Sequence, residues 1–243
     1  MSDLLAGEWL KLRTSRLLLV MGAAAVALST ASVAGTVLAA GSRELADPGT
    51  VRDALSLTGT GALVVLLLGI VISAGEHRHG TAADTYLTTP RRGRVLAAKV
   101  AMGAAVGLAV GVAMALTGAV VVAHLYDAEG VGLPVDGGEV ASTLLGATVY
   151  TTLFAVLGVA LGALVRRQVL AVSLALTWVA VVEHAVIGLV PDVGRFFPTI
   201  AGQALVRTPA DAMLAPHTGG AVLALYAALL TAGALHVTRT RDV

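Results

Sequence analysis

This chain of 243 residues has no cysteine, two lysines, nine aromatic residues and only 13% charged residues. Without cysteine there is no disulfide, no thiolate metal site and no thiol nucleophile. So little charge excludes a soluble domain of this size, which needs a polar shell around its core. Catalytic signatures are missing as well. There is no GxxxxGK[ST] phosphate loop, no HExxH zinc helix and no Gly-x-Ser-x-Gly elbow. A net charge of +1 leaves nucleic acid without support as a partner.

What the chain does have is apolar surface. It is 57% hydrophobic with a mean hydropathy of +0.87, so its solvent is largely lipid. Arginine outnumbers lysine 14 to 2, and Ala, Gly and Val dominate, the bias of a high-GC bacterial genome. Six apolar runs stand out: Leu17–Ala40, Ala54–Gly75, Val100–Ala123, Ala141–Val165, Val169–Val190 and Gly219–Val237. Each is close to the ~20 residues that cross ~30 Å of hydrocarbon as a helix. Helices are required, because lipid offers backbone N–H and C=O groups no other partner. The expected fold is therefore an all-α membrane protein of six transmembrane helices. No internal repeat or linker divides residues 1–243, which read as a single transmembrane domain.

Six crossings bring both ends to one side, and charge selects it. With cytoplasmic termini, the inner segments hold twelve Lys and Arg residues: Lys11, Arg13, Arg16, Arg78, Arg91, Arg92, Arg94, Lys99, Arg166, Arg167, Arg239 and Arg241. The outer segments hold four, namely Arg43, Arg52, Arg195 and Arg207. The loop 124–140 has four acids and no Lys or Arg. The positive-inside rule then places both termini in the cytoplasm.

Ahead of the first span, Leu5, Trp9 and Leu12 share one helical face while Glu8, Lys11 and Ser15 share the other. That pattern predicts an amphipathic helix lying in the membrane interface, Trp9 at headgroup depth and Arg16 at its end. A signal peptide fits less well, because the 24-residue run that follows exceeds a signal's apolar core. Between spans two and three lies a polar island, GEHRHGTAADTYLTTPRRGRVLAAK, from Gly75 to Lys99. A short helix over Arg78–Thr89 is predicted there, ended by Pro90, whose ring cannot continue a helical turn. The bland reading of Pro90-Arg91-Arg92-Gly93-Arg94 is an anchor to anionic lipid, worth about 1 kcal/mol per basic residue. Between spans five and six, Phe196 to His217 carries three prolines around an apolar stretch too short to span, predicting a re-entrant or outer-surface helix pair.

Glu183 is the one acid inside a span. An intramembrane carboxylate is a functional candidate, able to bind a cationic substrate or carry a proton. The plainer alternative puts it in the outer interface, hydrogen-bonded to the segment that follows. Glu76, His77 and His79 do not converge as ligands at helical spacing, so no metal site is expected. Gly103, Gly107 and Gly111, and again Gly158 and Gly162, recur every four residues. Such stripes let helices approach closely in lipid. Packing within one bundle is favoured over a seam between subunits.

The polar island resembles the first cytoplasmic loop of ABC-2 type permeases, the membrane subunits of ATP-binding-cassette exporters. The matching positions are Glu76, Gly80–Thr81, Pro90, Arg94 and Lys99, and EWLKLRTSR is similar to the family's opening interfacial helix through Glu8, Lys11 and Arg16. The chain departs from the family at PRRGR, where an apolar residue and a Ser more often follow the Pro. The resemblance implies that the island, with His77, Arg78 and His79, forms a coupling helix docking on a separate ATPase subunit. ATP and Mg would be bound by that partner and no cofactor by this chain, which would not be an enzyme. It further implies a second permease chain, identical or not, and spans two and five lining the substrate path. Thr58, Thr60, Thr177, Trp178 and Glu183 are then substrate-contact candidates. The implied cargo is a hydrophobic or amphipathic drug, peptide or lipid, exported across the bacterial cytoplasmic membrane. Two rivals remain open: an ion-coupled transporter using Glu183 and His184, and a membrane immunity protein that sequesters a toxic peptide.

Overall fold

A computed structural model describes residues 15–78, 92–207 and 214–240. The described residues are helical, with no strand among them. Six helical stretches are long and apolar enough to cross a membrane. The first is α1, Arg16–Ala39. A single turn, α2 (Ser42–Leu45), leads to α3 (Pro48–Ser56) and α4 (Ala62–Arg78), which together make the second. The third and fourth are α5 (Arg92–Ala128) and α6 (Gly137–Val165). The fifth comprises α7 (Gln168–Thr177), a π-helical turn over Trp178–Glu183, and α8 (His184–Leu189). Two short helices follow, α9 (Pro191–Gly194) and α10 (Pro198–Leu205), before α11 (Pro216–Thr240) makes the sixth.

Several expected boundaries move. The second span is broken: Asp47 caps α3 by accepting from the Gly49 N–H at 3.1 Å, Pro48 stands at its first turn, and a 3-10 turn at Leu57–Gly59 precedes α4. Glycine is required at this break, since a Cβ on Gly61 would lie 2.5 Å from the Ala25 carbonyl oxygen. The polar island is also narrower than its charge implied. α4 continues through Arg78 and α5 begins at Arg92, so Arg78 belongs to the helix of the second span and Arg94 and Lys99 to that of the third. The cause is Val95, Leu96 and Ala98, which are buried. Leu96 packs with Ala163 of α6 and Ala234 of α11, extending the helix past the end of the apolar run. Arg94 points outward and Lys99 is buried. The Arg78–Thr89 helix, His79, Gly80, Thr81 and Pro90 lie outside the described residues, apart from Arg78 itself, as do Glu8, Trp9 and Lys11.

α6 is the axis of the bundle, packed against α4, α5 and α11, while α1 leans on α5 and α4, and α7 on α4 and α6. The glycine stripes make these contacts. A Cβ on Gly107 would lie 2.6 Å from that of Ala155, and one on Gly111 3.0 Å from Thr148 Cα, so the α5 stripe seats on α6. Gly158 and Gly162 face the Leu66 and Ile70 carbonyls of α4. Both stripes are used inside the bundle, where loss of side chains lets backbones meet and dispersion replaces the absent hydrophobic drive.

The helices alternate in direction. Val33, Val37, Leu45, Val51, Leu55, Val122 and Tyr126 cluster where α1 and α5 end, and Arg52 pairs with Glu139 of α6 at 2.6 Å on the same end. At the other end α6 closes on a left-handed Arg166 (φ 58°), whose N–H donates to the Gly162 carbonyl. That tight turn makes α6 and α7 neighbours. Leu108, Val112, Leu116 and Val120 of α5 and Leu170, Leu174, Val181 and Leu189 of the fifth span stay exposed, an apolar perimeter suited to lipid.

Candidate functional site

The site is built on the fifth span. An α-helix would set residues five apart about 140° from each other, whereas a π turn closes i→i+5 and brings them toward one face. The π turn over Trp178–Glu183 therefore turns Trp178 and Glu183 toward the same side. A widened turn frees backbone carbonyls, and one is satisfied locally: the exposed His184 ring places Nδ1 2.8 Å from the Val179 oxygen, so Nδ1–H donates there.

Glu183 is 1% exposed. Its Oε2 accepts from the backbone N–H of Thr199 at 3.1 Å, in the first turn of α10, where helix N–H groups lack intrahelical partners. This is the hydrogen bond to the following segment that the plainer sequence reading expected. Oε1 is buried with no hydrogen-bond partner among the described residues, and so is the Thr199 hydroxyl. A buried acceptor left open costs about 1–3 kcal/mol, more when charged, so this arrangement is incomplete as it stands.

Two neighbouring cavities lie here, the first of them lined by the carboxylate. One of ≈ 320 Å³ is lined by Leu66, Phe154, Leu157, Leu161, Leu174, Ala175, Trp178, Val179, Glu183, Pro198, Tyr226 and Leu230, drawn from α4, α6, the fifth span, α10 and α11. Glu183 is the one charged residue of its wall among the described residues. The second, of ≈ 290 Å³, lies toward the 3-10 turn and includes Thr60, Tyr150, Thr199 and Gln203; it shares Phe154 and Val179 with the first. Aromatic rings gather here. Tyr150 meets Phe154 edge-on with centroids 4.6 Å apart, and Trp178 lies 5.5 Å from Phe197. With Tyr226, five of the chain's nine aromatic residues surround these two cavities.

Among the expected substrate contacts, Trp178 and Glu183 come together at the larger cavity and Thr60 reaches the smaller. Thr58 does not join them. It is fully buried, donates to the Leu55 carbonyl at 2.6 Å and accepts from Ser29 Oγ on its own carbonyl at 3.0 Å, tying the break in the second span to α1. Thr177 is exposed and lines neither cavity. The residues that sequence reasoning missed are Tyr150, Phe154, Thr199 and Tyr226. Tyr150 and Phe154 carried a signal, being aromatic at i and i+4 on one helical face; Thr199 and Tyr226 carried none.

Fold and site together define an α-helical protein with six candidate membrane spans and a carboxylate-bearing apolar cavity among them. No protein-family model matches the chain, and no curated protein does.

Proposed function

We propose that this chain is the permease subunit of an ABC-2 type exporter, moving a hydrophobic or amphipathic substrate across a bacterial cytoplasmic membrane. In this reading a separate ATPase subunit binds ATP and Mg, and two permease chains form the pathway. The observation that carries it is the island from Glu76 to Lys99, whose Glu, Gly-Thr, Pro, Arg and Lys follow the family's coupling loop. In support, the helices flanking it reach the bundle end where α1 begins and α11 finishes. An inner-surface lever needs that placement. ATP-driven closure of the partner would bias the bundle between two states through differential contacts at this lever.

The test is co-purification with an ATPase from the same genome, followed by stimulated ATP turnover. Replacing Glu76 by Ala or Arg94 by Ala is expected to abolish the stimulation while leaving the chain folded. Transport by this chain alone in vesicles driven by an ion gradient would refute the reading. The burial of Glu183 favours that second case, an ion-coupled carrier. Its other residue, His184, already has Nδ1 engaged with a backbone carbonyl.

A further inference from the structure

We infer that the cavity between the fifth and sixth spans is a binding site for a single positive charge carried on an apolar body, with Glu183 receiving the charge. Three independent observations meet there. A carboxylate 1% exposed lines the cavity and keeps one fully buried oxygen without a partner among the described residues. Among the described residues no basic side chain lines the cavity to neutralise it. The aromatic residues, scarce in this chain, are concentrated around it: Phe154, Trp178 and Tyr226 line the cavity and Phe197 lies at a tilt against Trp178.

The chemistry of these groups selects the ligand. An anion is repelled by the carboxylate, and a doubly charged cation would leave one charge uncompensated in an apolar chamber. A small hydrated cation finds too few oxygens, since hard cations need six or more. A monocation whose charge is spread or shielded by carbon satisfies both halves of the site. The carboxylate completes its partnership, and aromatic faces attract the cation while burying its apolar body. The cavity volume of ≈ 320 Å³ falls at the lower end of small-ligand sites. Trp178 is 42% exposed at the perimeter, so entry is from the bilayer side, past its indole.

This inference builds on the reading of the chain as a carrier of amphipathic cargo, yet its test needs only the purified chain. A failed ATPase experiment would leave it standing, and absent cation binding would leave the coupling reading standing. The test uses two ions of matched shape and opposite sign, tetraphenylphosphonium and tetraphenylborate. Each is titrated into the delipidated protein in a neutral detergent. The readout is Trp178 emission in a Trp9→Phe background, which leaves one tryptophan. Saturable binding of the phosphonium and only linear partitioning of the borate are expected. Glu183→Gln should weaken the phosphonium at least tenfold, and Glu183→Asp should restore most of that loss. Equal saturable binding of both ions, or none of the phosphonium, overturns the site on the unmodified carboxylate alone, so the result does not hang on whether Glu183→Gln folds. Undiminished binding in a folded Glu183→Gln overturns it too. Phosphatidylcholine, whose trimethylammonium is shielded by carbon, separates the sources when added as competitor: displacement assigns the occupant to a quaternary-amine lipid headgroup, and no displacement assigns it to a free amphiphile.

Discussion

Replacing Gly158 by Ala adds one methyl group at the tightest contact between the two central spans. A Cβ there would lie 2.0 Å from the Leu66 carbonyl oxygen, 2.9 Å from the Leu66 carbonyl carbon and 3.1 Å from Gly69 Cα. All three atoms are backbone, so no rotamer change relieves the clash. Carbon and carbonyl oxygen come no closer than about 3.3 Å in ordinary helix contacts, so α4 and α6 must part by roughly 1.3 Å. A gap of 0.5–1 Å already forfeits about a quarter to a half of each dispersion contact. Here it opens beside the buried Leu66, Ile70, Phe154 and Leu157. The expected cost lies at the top of the overpacking range, about 3 kcal/mol.

By size scaling for chains of this length, that cost is a fall of roughly 6–12 °C in the thermal midpoint. The measurement is the fraction of monodisperse protein surviving a heating series in detergent. Gly233→Ala on α11 is the control, because nothing lies within 4 Å of its added Cβ. It should match the parent or exceed it by up to about 1 kcal/mol, the helix-propensity gain of Ala over Gly. If the two variants melt together, the glycines are not what sets the distance between α4 and α6. If Gly158→Ala instead changes oligomeric state at unchanged stability, the stripe is a subunit seam and the packing argument fails.

Gly202→Ala would set a Cβ 2.0 Å from the Tyr150 ring, so the ring and α10 must part, disturbing the Thr199 N–H contact to Glu183; a lower midpoint and a shifted Trp178 emission are expected, and an unchanged spectrum would refute the link. Because the chain has no cysteine, single replacements report sidedness directly. Glu129→Cys, in the turn after α5, should react with an impermeant maleimide only from outside. Arg167→Cys, between α6 and α7, should react only from inside; the reverse pattern would invert the topology.

The six spans were legible because lipid removes every alternative to the helix, so apolar run length reports the element directly. Their ends were less so. Charge marks where lipid stops, but Val95, Leu96 and Ala98 bury against α6 and α11, and the helix runs outward as far as packing rewards it. The break at Leu57–Gly61 left a trace in its glycines and threonines, yet its need arises from the nearby Ala25 carbonyl of α1, a neighbour no local pattern names. The π turn was invisible. Hydropathy along Trp178–Glu183 is the same for i→i+4 and i→i+5 bonding, and only the turn decides that Trp178 and Glu183 share a face. Glu183 stood out as the lone acid in a span, while its partner Thr199 came from a segment whose docking depends on Gly202 clearing Tyr150.

These features divide the bundle into two kinds of contact. α4 and α6 touch through glycines and backbone, a fit that a displacement of 1 Å destroys, and such interfaces hold one arrangement or switch between two rather than deform. The fifth span is fastened differently. Of α7 only Ala171 and Ala175 are buried, of the π turn only Glu183, and of α8 nothing. Elements with few buried contacts sit at the low-stability end of a fold. The carboxylate thus rides on an element with little to lose by moving, and its backbone hydrogen bond reaches α10, which packs on α11 and α6. A cation completing Oε1 would add a contact to that weakly held span while leaving the α4–α6 axis untouched. In a carrier, occupancy must alter the balance between two states, and the free energy for that has to come from a contact made in one state and not the other. The open oxygen of Glu183 is the place in this bundle where such a contact is still to be made.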